Sequence, residues 1–197
     1  MVAKDQAVTR VGMPLDEFTR RFDAEGPFEL IDGEVIPKMP NVFIHVIVLK
    51  RLLAFLLAFE QSSSAIQVFP EQTFAMIDAS DWVKGSRIPD IAIYMASRLT
   101  EYFAQTPDWE HKPSLLIPDI CIEVISPNDK ADEIESKVQR YLIDGVQAVW
   151  LVYPETKTIN LHRSGSNQIT RLTAEDKLED AELLPKFSVL VRSIFPE

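Results

Sequence analysis

The hydrophobic positions along the chain follow two periods, one typical of helices and one typical of strands. Apolar side chains recur every three or four positions over residues 14–24 and 42–59, which predicts two helices. A third helix is predicted to follow the polar cluster 126–129, whose side chains suit a helix start, and to run to about residue 143. Gly145 is suited to end that helix, because glycine tolerates the left-handed conformation that often follows a helix.

Shorter apolar segments predict β-strands. Asp32-Gly33 stands between two apolar runs and predicts a hairpin, since this pair favours the tight turn that a hairpin needs. Strongly apolar runs predict buried strands at 88–94, 119–125 and 148–153. The remaining predictions are strands at 65–70 and 72–77, a polar loop over 78–87, an irregular insertion over 95–118 with a helical turn near 99–103, two short strands separated by turns at 154–157 and 164–167, and a closing C-terminal segment at 187–195.

This order of elements predicts an α/β fold with a mixed central sheet flanked by helices, plus an N-terminal helix and hairpin. The 197 residues contain no Gly/Ser-rich linker, so we expect one domain over 14–197 after a tail at 1–13. The single cysteine, Cys121, excludes an internal disulfide and favours a reducing, cytoplasmic compartment. No apolar leader opens the sequence, and Lys50-Arg51 interrupts the long apolar segment, so neither a signal peptide nor a membrane span is predicted.

The charge balance is acidic. Twenty Lys and Arg against thirty Asp and Glu give a net charge of −10, and no third of the chain is net positive. This distribution argues against a basic surface for non-specific nucleic-acid binding. Carboxylates that hold a divalent cation would resolve the difficulty, because the ion brings its own positive charge. Glycine-rich phosphate loops, a Gly-x-Ser-x-Gly elbow and zinc-ligand spacing are missing from the sequence.

Two acids stand out because they fall in strongly apolar runs. Asp90 and Glu123 each lie within or at the end of a predicted buried strand, where an uncompensated carboxylate costs several kcal/mol. A divalent cation between two such strands would remove that penalty. The alternative is that each residue begins or ends its strand and contacts solvent.

Lys137 is the candidate cation of the third helix. Glu133 and Tyr141 lie four positions before and after it and share its face. Taken alone, Lys137 is an ordinary exposed lysine with one ion pair on a solvated helix surface.

Together these motifs form an ordered series that resembles a known family. The series consists of Glu29-Leu30-Ile31-Asp32-Gly33-Glu34, His45, Pro89-Asp90, Glu123-Val124-Ile125-Ser126-Pro127, Lys137 with Tyr141, Gly145-Val146, Trp150-Leu151-Val152 and Leu183-Leu184-Pro185-Lys186-Phe187-Ser188-Val189. It resembles the Uma-two family of restriction-endonuclease-like proteins, within the PD-(D/E)XK nuclease superfamily, over about residues 14–195. The resemblance implies a restriction-endonuclease-like core.

The resemblance also implies a metal site. Asp90, Glu123 and the backbone carbonyl of Val124 would hold Mg²⁺ or Mn²⁺. The superfamily places its lysine two residues after the acid, where this chain has Ile125. The family resemblance implies that the lysine has moved to the helix, which selects Lys137, placed to orient or deprotonate an attacking water and to stabilise charge on the phosphate.

Auxiliary roles are implied for three further residues. Glu29 or Glu34 of the hairpin would add an outer ligand or water contact, and spacing does not choose between them. His45 would contact phosphate or position a ligand. Each has a plainer alternative, a solvent-facing hairpin for the two acids and a structural histidine for His45.

The function implied is metal-dependent hydrolysis of phosphodiester bonds in DNA by an endonuclease. The alternatives are a catalytically inactive nuclease-fold protein that binds a nucleic acid or a protein, and an assembly subunit that dimerises through the 42–59 helix. A homodimer is expected for the nuclease too, because cutting two strands usually requires two sites.

Overall fold

The computed structural model describes residues 10–78 and 81–197, so the first nine residues of the predicted tail and residues 79 and 80 of the predicted loop lie outside it. Its helices are α1 (Leu15–Glu25), α2 (Phe43–Ser63), α3 (Ala96–Gln105) and α4 (Ala131–Asp144). Its strands are β1 (Met13–Pro14), β2 (Phe28–Ile31), β3 (Glu34–Pro37), β4 (Ile66–Pro70), β5 (Phe74–Ile77), β6 (Trp82–Arg87), β7 (Ile91–Met95), β8 (Ile120–Val124), β9 (Ala148–Tyr153), β10 (Thr158–Arg163), β11 (Thr170–Leu172), β12 (Lys177–Asp180) and β13 (Leu184–Leu190).

A six-stranded mixed sheet lies at the centre, in the order β11-β10-β9-β8-β7-β4. Only β8 and β9 pair in parallel within it; the other neighbours are antiparallel. A parallel pair needs a crossover, which α4 provides between the two strands. The three strongly apolar runs of the sequence form β7, β8 and β9, the adjacent central strands.

Side chains alternate between the two faces of this sheet. One face packs against α2 through Val48, Leu52 and Leu56, and the C-terminal segment adds Phe187 to the same core. The other face packs against α4, where Val138 and other apolar residues meet Cys121 and Leu151. The sheet therefore lies between α2 and α4.

The N-terminal elements form a second, smaller layer. Strands β1, β6 and β5 pair as one sheet, and the β2–β3 hairpin has its own apolar cluster with α1, which includes Phe18, Phe28 and Leu30. Ser86 of β6 accepts a hydrogen bond from the Leu30 amide at 2.8 Å. Arg87 donates to the Leu30 carbonyl at 3.1 Å and pairs with Asp144 at the end of α4. These bonds fix the hairpin beside the central sheet.

Two local predictions were wrong. Residues 82–87, predicted as part of a polar loop, form β6, because backbone pairing with β5 and β1 satisfies a segment that lacks apolar alternation. In the predicted irregular insertion over 95–118, α3 runs for ten residues, with Leu99 buried and Phe103 packed beside it. The prolines that suggested irregularity all lie beyond this helix.

None of the helices in the described ranges is long and apolar enough to cross a membrane. This agrees with the interruption of α2 by Lys50 and Arg51. A cytoplasmic location stays a prediction.

The packing of α2 generates a stability prediction. Leu52 is fully buried between α2 and the sheet, so Leu52→Ala removes apolar contacts and leaves a cavity. We expect a loss of about 2–5 kcal/mol in the free energy of unfolding, measured by urea denaturation. The matched control is Ile143→Ala on α4, where the side chain is 82% exposed. Similar losses in the two variants would contradict this account of the core.

Candidate active site

The two acids singled out by the sequence come from neighbouring strands. Glu123 belongs to β8, and Asp90 immediately precedes β7. Ile91 pairs with Ile122 in the antiparallel register, so Asp90 and Glu123 each adjoin the last residue pair of this ladder. Asp90 is 3% exposed and Glu123 5% exposed, which excludes the solvent-facing alternative for both.

Glu123 faces α4 and receives two side-chain contacts from it. The Tyr141 hydroxyl donates to Oε1 of Glu123 at 2.5 Å, and Nζ of Lys137 lies 2.8 Å from Oε2. Lys137 and Tyr141 are four residues apart, so one helical face presents both groups to the same carboxylate. Tyr141 is fully buried and the Lys137 side chain is only 34% exposed, so the surface-lysine alternative does not hold.

Asp90 receives its contacts from three other parts of the chain. Its Oδ2 accepts a hydrogen bond from the Val124 amide at 2.9 Å and lies 3.3 Å from Nε2 of His45 on α2. Its Oδ1 lies 3.3 Å from Nζ of Lys38, just after β3. The amide contact ties Asp90 directly to the residue that follows Glu123.

Burial and charge act differently on the two carboxyls. Burial raises the pKa of Glu123 to about 7; the Lys137 charge opposes that shift and the Asp90 charge adds to it. Burial also pushes the pKa of Asp90 upward, but His45 and the charge of Lys38 outweigh it, so that this pKa lies at about 2. Asp90 is therefore ionised throughout the neutral range, whereas Glu123 titrates within it.

The pKa values of the two basic side chains, Lys137 and His45, are both raised by neighbouring carboxylates. Burial alone would lower the pKa of Lys137, but the carboxylates of Glu123 and Glu29 raise it above its ordinary value. Burial likewise opposes protonation of His45, and contact with Asp90 raises its pKa despite the nearby charge of Lys38. Lys137 is accordingly an ammonium group at neutral pH.

The structure separates the two hairpin acids. Glu29 accepts a hydrogen bond from the Ile88 amide at 2.8 Å, two residues before Asp90, and its charge raises the pKa of Lys137. Glu34 is exposed on β3. Of the two alternatives left open by spacing, Glu29 lies beside the candidate site and Glu34 does not.

Two residues at the site were not assigned roles from the sequence. Lys38 reaches Asp90 across 52 positions, and its position after a hairpin gives no signal of this contact. From the sequence, Tyr141 is only a neighbour of Lys137 on one helical face. A phenol hydroxyl four residues from a lysine is nevertheless a signal that both groups contact the same carboxylate. Its phenol has a pKa raised well above the ordinary value by burial, so it donates to Glu123 as a neutral hydroxyl.

The donor chemistry suits a hard divalent cation. Two carboxylates and the main chain of Val124 meet at the strand ends, and magnesium sites commonly use one or two carboxylates with water completing the shell. Within residues 10–78 and 81–197, no three His, Cys, Asp or Glu side chains cluster as a complete ligand set. Any ion at this position would therefore rely on Asp90, Glu123, a carbonyl and water.

A comparison with family models decides the family. The model described as Uma2, "Putative restriction endonuclease", matches residues 15–192. The chain belongs to the Uma2 family. The resemblance drawn from the ordered motifs is confirmed, and membership of the Uma2 family supports a nuclease.

Solved structures show the same fold. A crystal structure of a putative nuclease belonging to DUF820 from Anabaena variabilis matches this Uma2 chain with a TM-score of 0.73 at 19% sequence identity. The match covers 92% of this chain and 97% of that one. The predicted α/β fold with a restriction-endonuclease-like core is confirmed. No curated protein gives a significant match.

The titration of Glu123 generates a pH prediction. A carboxyl whose pKa is raised from 4.5 to about 7 by folding stabilises the native state fully below pH 4.5, and this contribution is lost as the pH rises through 7. Relative to Glu123→Gln, the parent should lose roughly 3 kcal/mol between pH 4.5 and 8, measured by urea unfolding with a chelator present.

Asp90→Asn provides the opposite case. Because folding lowers the pKa of Asp90 from 3.8 to about 2, this residue adds to the free energy of unfolding above pH 3.8. That contribution is lost as the pH falls through about 2. A stability difference between the parent and Glu123→Gln that stays constant with pH would show that Glu123 is not a perturbed acid.

Proposed function

We propose that this Uma2 chain is a metal-dependent endonuclease that hydrolyses phosphodiester bonds in DNA, with Asp90, Glu123 and Lys137 at its centre. The observation that carries the proposal is the contact between Lys137 and Glu123 at 2.8 Å, beside a second buried acid. It supports a lysine acting from the helix, in a family whose description names restriction endonucleases.

Three groups would hold the ion: the carboxylates of Asp90 and Glu123 and the backbone carbonyl of Val124. Mg²⁺ or Mn²⁺ bound there supplies a more acidic water and a polarised phosphoryl oxygen. Asp90 is already ionised at neutral pH and is oriented by the Val124 amide and His45. Tyr141 fixes one oxygen of Glu123 and leaves the other toward Lys137.

Lys137 contributes as a cation. Because the surrounding carboxylates keep it protonated, it cannot remove a proton from water at neutral pH. Its ammonium group would instead orient the attacking water and stabilise the negative charge that develops on phosphate. The raised pKa therefore favours the orienting role over deprotonation of the water.

Acidic composition is compatible with this proposal. The net charge of −10 repels DNA at long range, so electrostatic attraction does not bring DNA to this protein. Lys38 and Lys137 nevertheless converge on the two acids, so two ammonium groups lie where a phosphate would be cleaved. Such a site favours short-range recognition of the scissile phosphate over broad electrostatic binding.

Plasmid cleavage with Mn²⁺ or Mg²⁺ tests the proposal. Glu123→Gln and Lys137→Met should each reduce the cleavage rate at least about 100-fold, because each removes a charge that acts on the reacting phosphate or its metal. The readout is single-turnover nicking of supercoiled DNA, with RNA of matched sequence as a second substrate.

Lys130→Met is the matched control for the lysine. Lys130 also lies beside α4, but its amine pairs with Glu133 at the surface and its side chain is 71% exposed. Cleavage should stay near the parent rate. Metal-dependent nicking that survives both Glu123→Gln and Lys137→Met would place the activity elsewhere, and absence of cleavage in the parent would favour the inactive binding protein.

We also propose that two copies pair through the outer face of α2. The exposed outer face of α2 is mostly apolar and carries one lysine, Lys50; its apolar members are Phe43, Val46, Ile47, Ala54, Leu57 and Ala58. The inner face of the same helix packs on the sheet through Val48, Leu52 and Leu56, so apolar side chains lie on both sides of α2. A second α2 with large and small residues along one stripe is a self-complementary partner for such a face.

Light scattering coupled to gel filtration tests the pairing. Ile47→Ser should shift the mass from two chains toward one, because it places a polar group in the middle of the stripe. Ile143→Ser is the control: it makes the same substitution on α4, at a side chain that is 82% exposed and lies outside the proposed interface. This variant should leave the mass unchanged. A parent protein of monomeric mass at micromolar concentration contradicts the proposed pairing.

A further inference from the structure

Lys38 occupies an oxygen-lined position next to Asp90. Its Nζ lies 3.3 Å from Oδ1 of Asp90, 3.4 Å from the carbonyl oxygen of Ile88 and 3.4 Å from Oε1 of Glu71. The Lys38 side chain is only 18% exposed. Two carboxylates and a carbonyl around a positive group are also the ligands that a hard divalent cation takes.

The backbone holds Lys38 in this position. Its amide donates to the Pro27 carbonyl at 2.9 Å, which closes the β2–β3 hairpin directly before the side chain turns toward the site. On the other side, the Glu71 amide donates to the Asp90 carbonyl at 3.1 Å. Lys38, Glu71 and Asp90 are therefore brought together by main-chain bonds as well as by charge.

The two oxygens of Asp90 have different partners. Oδ2 is committed to the Val124 amide and His45, which belong to the framework of the fold. Oδ1 is the oxygen that contacts the flexible Lys38 amine, and a lysine stem can move its charge by rotation about four bonds. Glu71 is 54% exposed and offers the displaced amine a second anion nearer to solvent.

From this geometry we infer that Lys38 is an internal counter-ion, which neutralises Asp90 in the metal-free protein and competes with the divalent cation for it. The inference rests on the proposed metal site. A divalent ion held by Asp90 and the Lys38 ammonium repel each other at this distance, so one must leave as the other binds. Lys38 is a positioning residue: it sets the affinity for the metal and keeps the buried carboxylate compensated until the metal arrives.

Calorimetric titration with Mn²⁺ alone tests the inference without relying on cleavage. Lys38→Met keeps the length of the side chain but removes its charge, and should tighten the Mn²⁺ dissociation constant by about tenfold or more. The same variant should have a lower melting temperature in chelator, and saturating Mn²⁺ should raise it by more than it raises the parent.

Two controls separate charge from packing. Lys38→Arg keeps the charge and should bind Mn²⁺ no more tightly than the parent. Lys84→Met removes an equal charge from an exposed position on β6 and should leave the affinity unchanged.

The outcomes distinguish this inference from the metal site itself. Binding of Mn²⁺ by the parent with unchanged or weaker affinity in Lys38→Met overturns the competition while the metal site stands. If Mn²⁺ binds to neither the parent nor Lys38→Met, the metal site fails and the competition fails with it.

Discussion

The burial of two carboxylates at the end of adjacent strands is the constraint on which the site depends. Ionised acids with 3% and 5% exposure are tolerable only when neighbouring groups replace the water they have lost. The replacements come from separate elements: an amide of β8, a histidine of α2, a lysine after β3, and a lysine and a tyrosine of α4. Breaking the alignment of any one element leaves a buried charge uncompensated. The central sheet, both flanking helices and the hairpin are therefore coupled through a few polar contacts.

The same contacts give the two acids unlike electrostatic environments. Asp90 is surrounded by donors and cations, which hold its pKa at about 2, whereas burial raises the pKa of Glu123 to about 7 despite the charge of Lys137. Environments that separate the pKa values of paired acids are characteristic of catalytic sites, because each acid then has a defined protonation state. The ionised member is Asp90, whose carboxylate accepts a hydrogen bond from the Val124 amide of β8. Its negative charge is part of the reason that protonated Glu123 is favoured.

Much of the sheet and part of the site followed from the sequence. The runs around Ile91, Ile122 and Trp150 predict buried strands because nearly every position is apolar, and an acid in such a run is informative for the same reason. The pairing of Asp90 with Glu123 depends on strand order, which periodicity does not specify. Residues 82–87 were wrongly predicted as a loop because their strand depends on long-range pairing. Lys38 gave no signal because its partner, Asp90, lies 52 positions away. Local pattern predicts which residues are buried, and tertiary register decides which of them meet.

The contact between Lys137 and Glu123 follows from topology. Ile125 stands two residues after Glu123, where the resemblance implies a lysine, and the amine that contacts Glu123 comes from Lys137 on α4. That helix is the crossover that a parallel β8–β9 pair requires, so it must pack on the face that Glu123 presents. Its far end is fixed by the pair between Arg87 and Asp144 and by Gly145, whose positive φ of 109° ends the helix. Lys137 lies on the inner face of this helix, with its amine 2.8 Å from Glu123. The fold can therefore move the cation from strand to helix and still direct it at the same carboxylate.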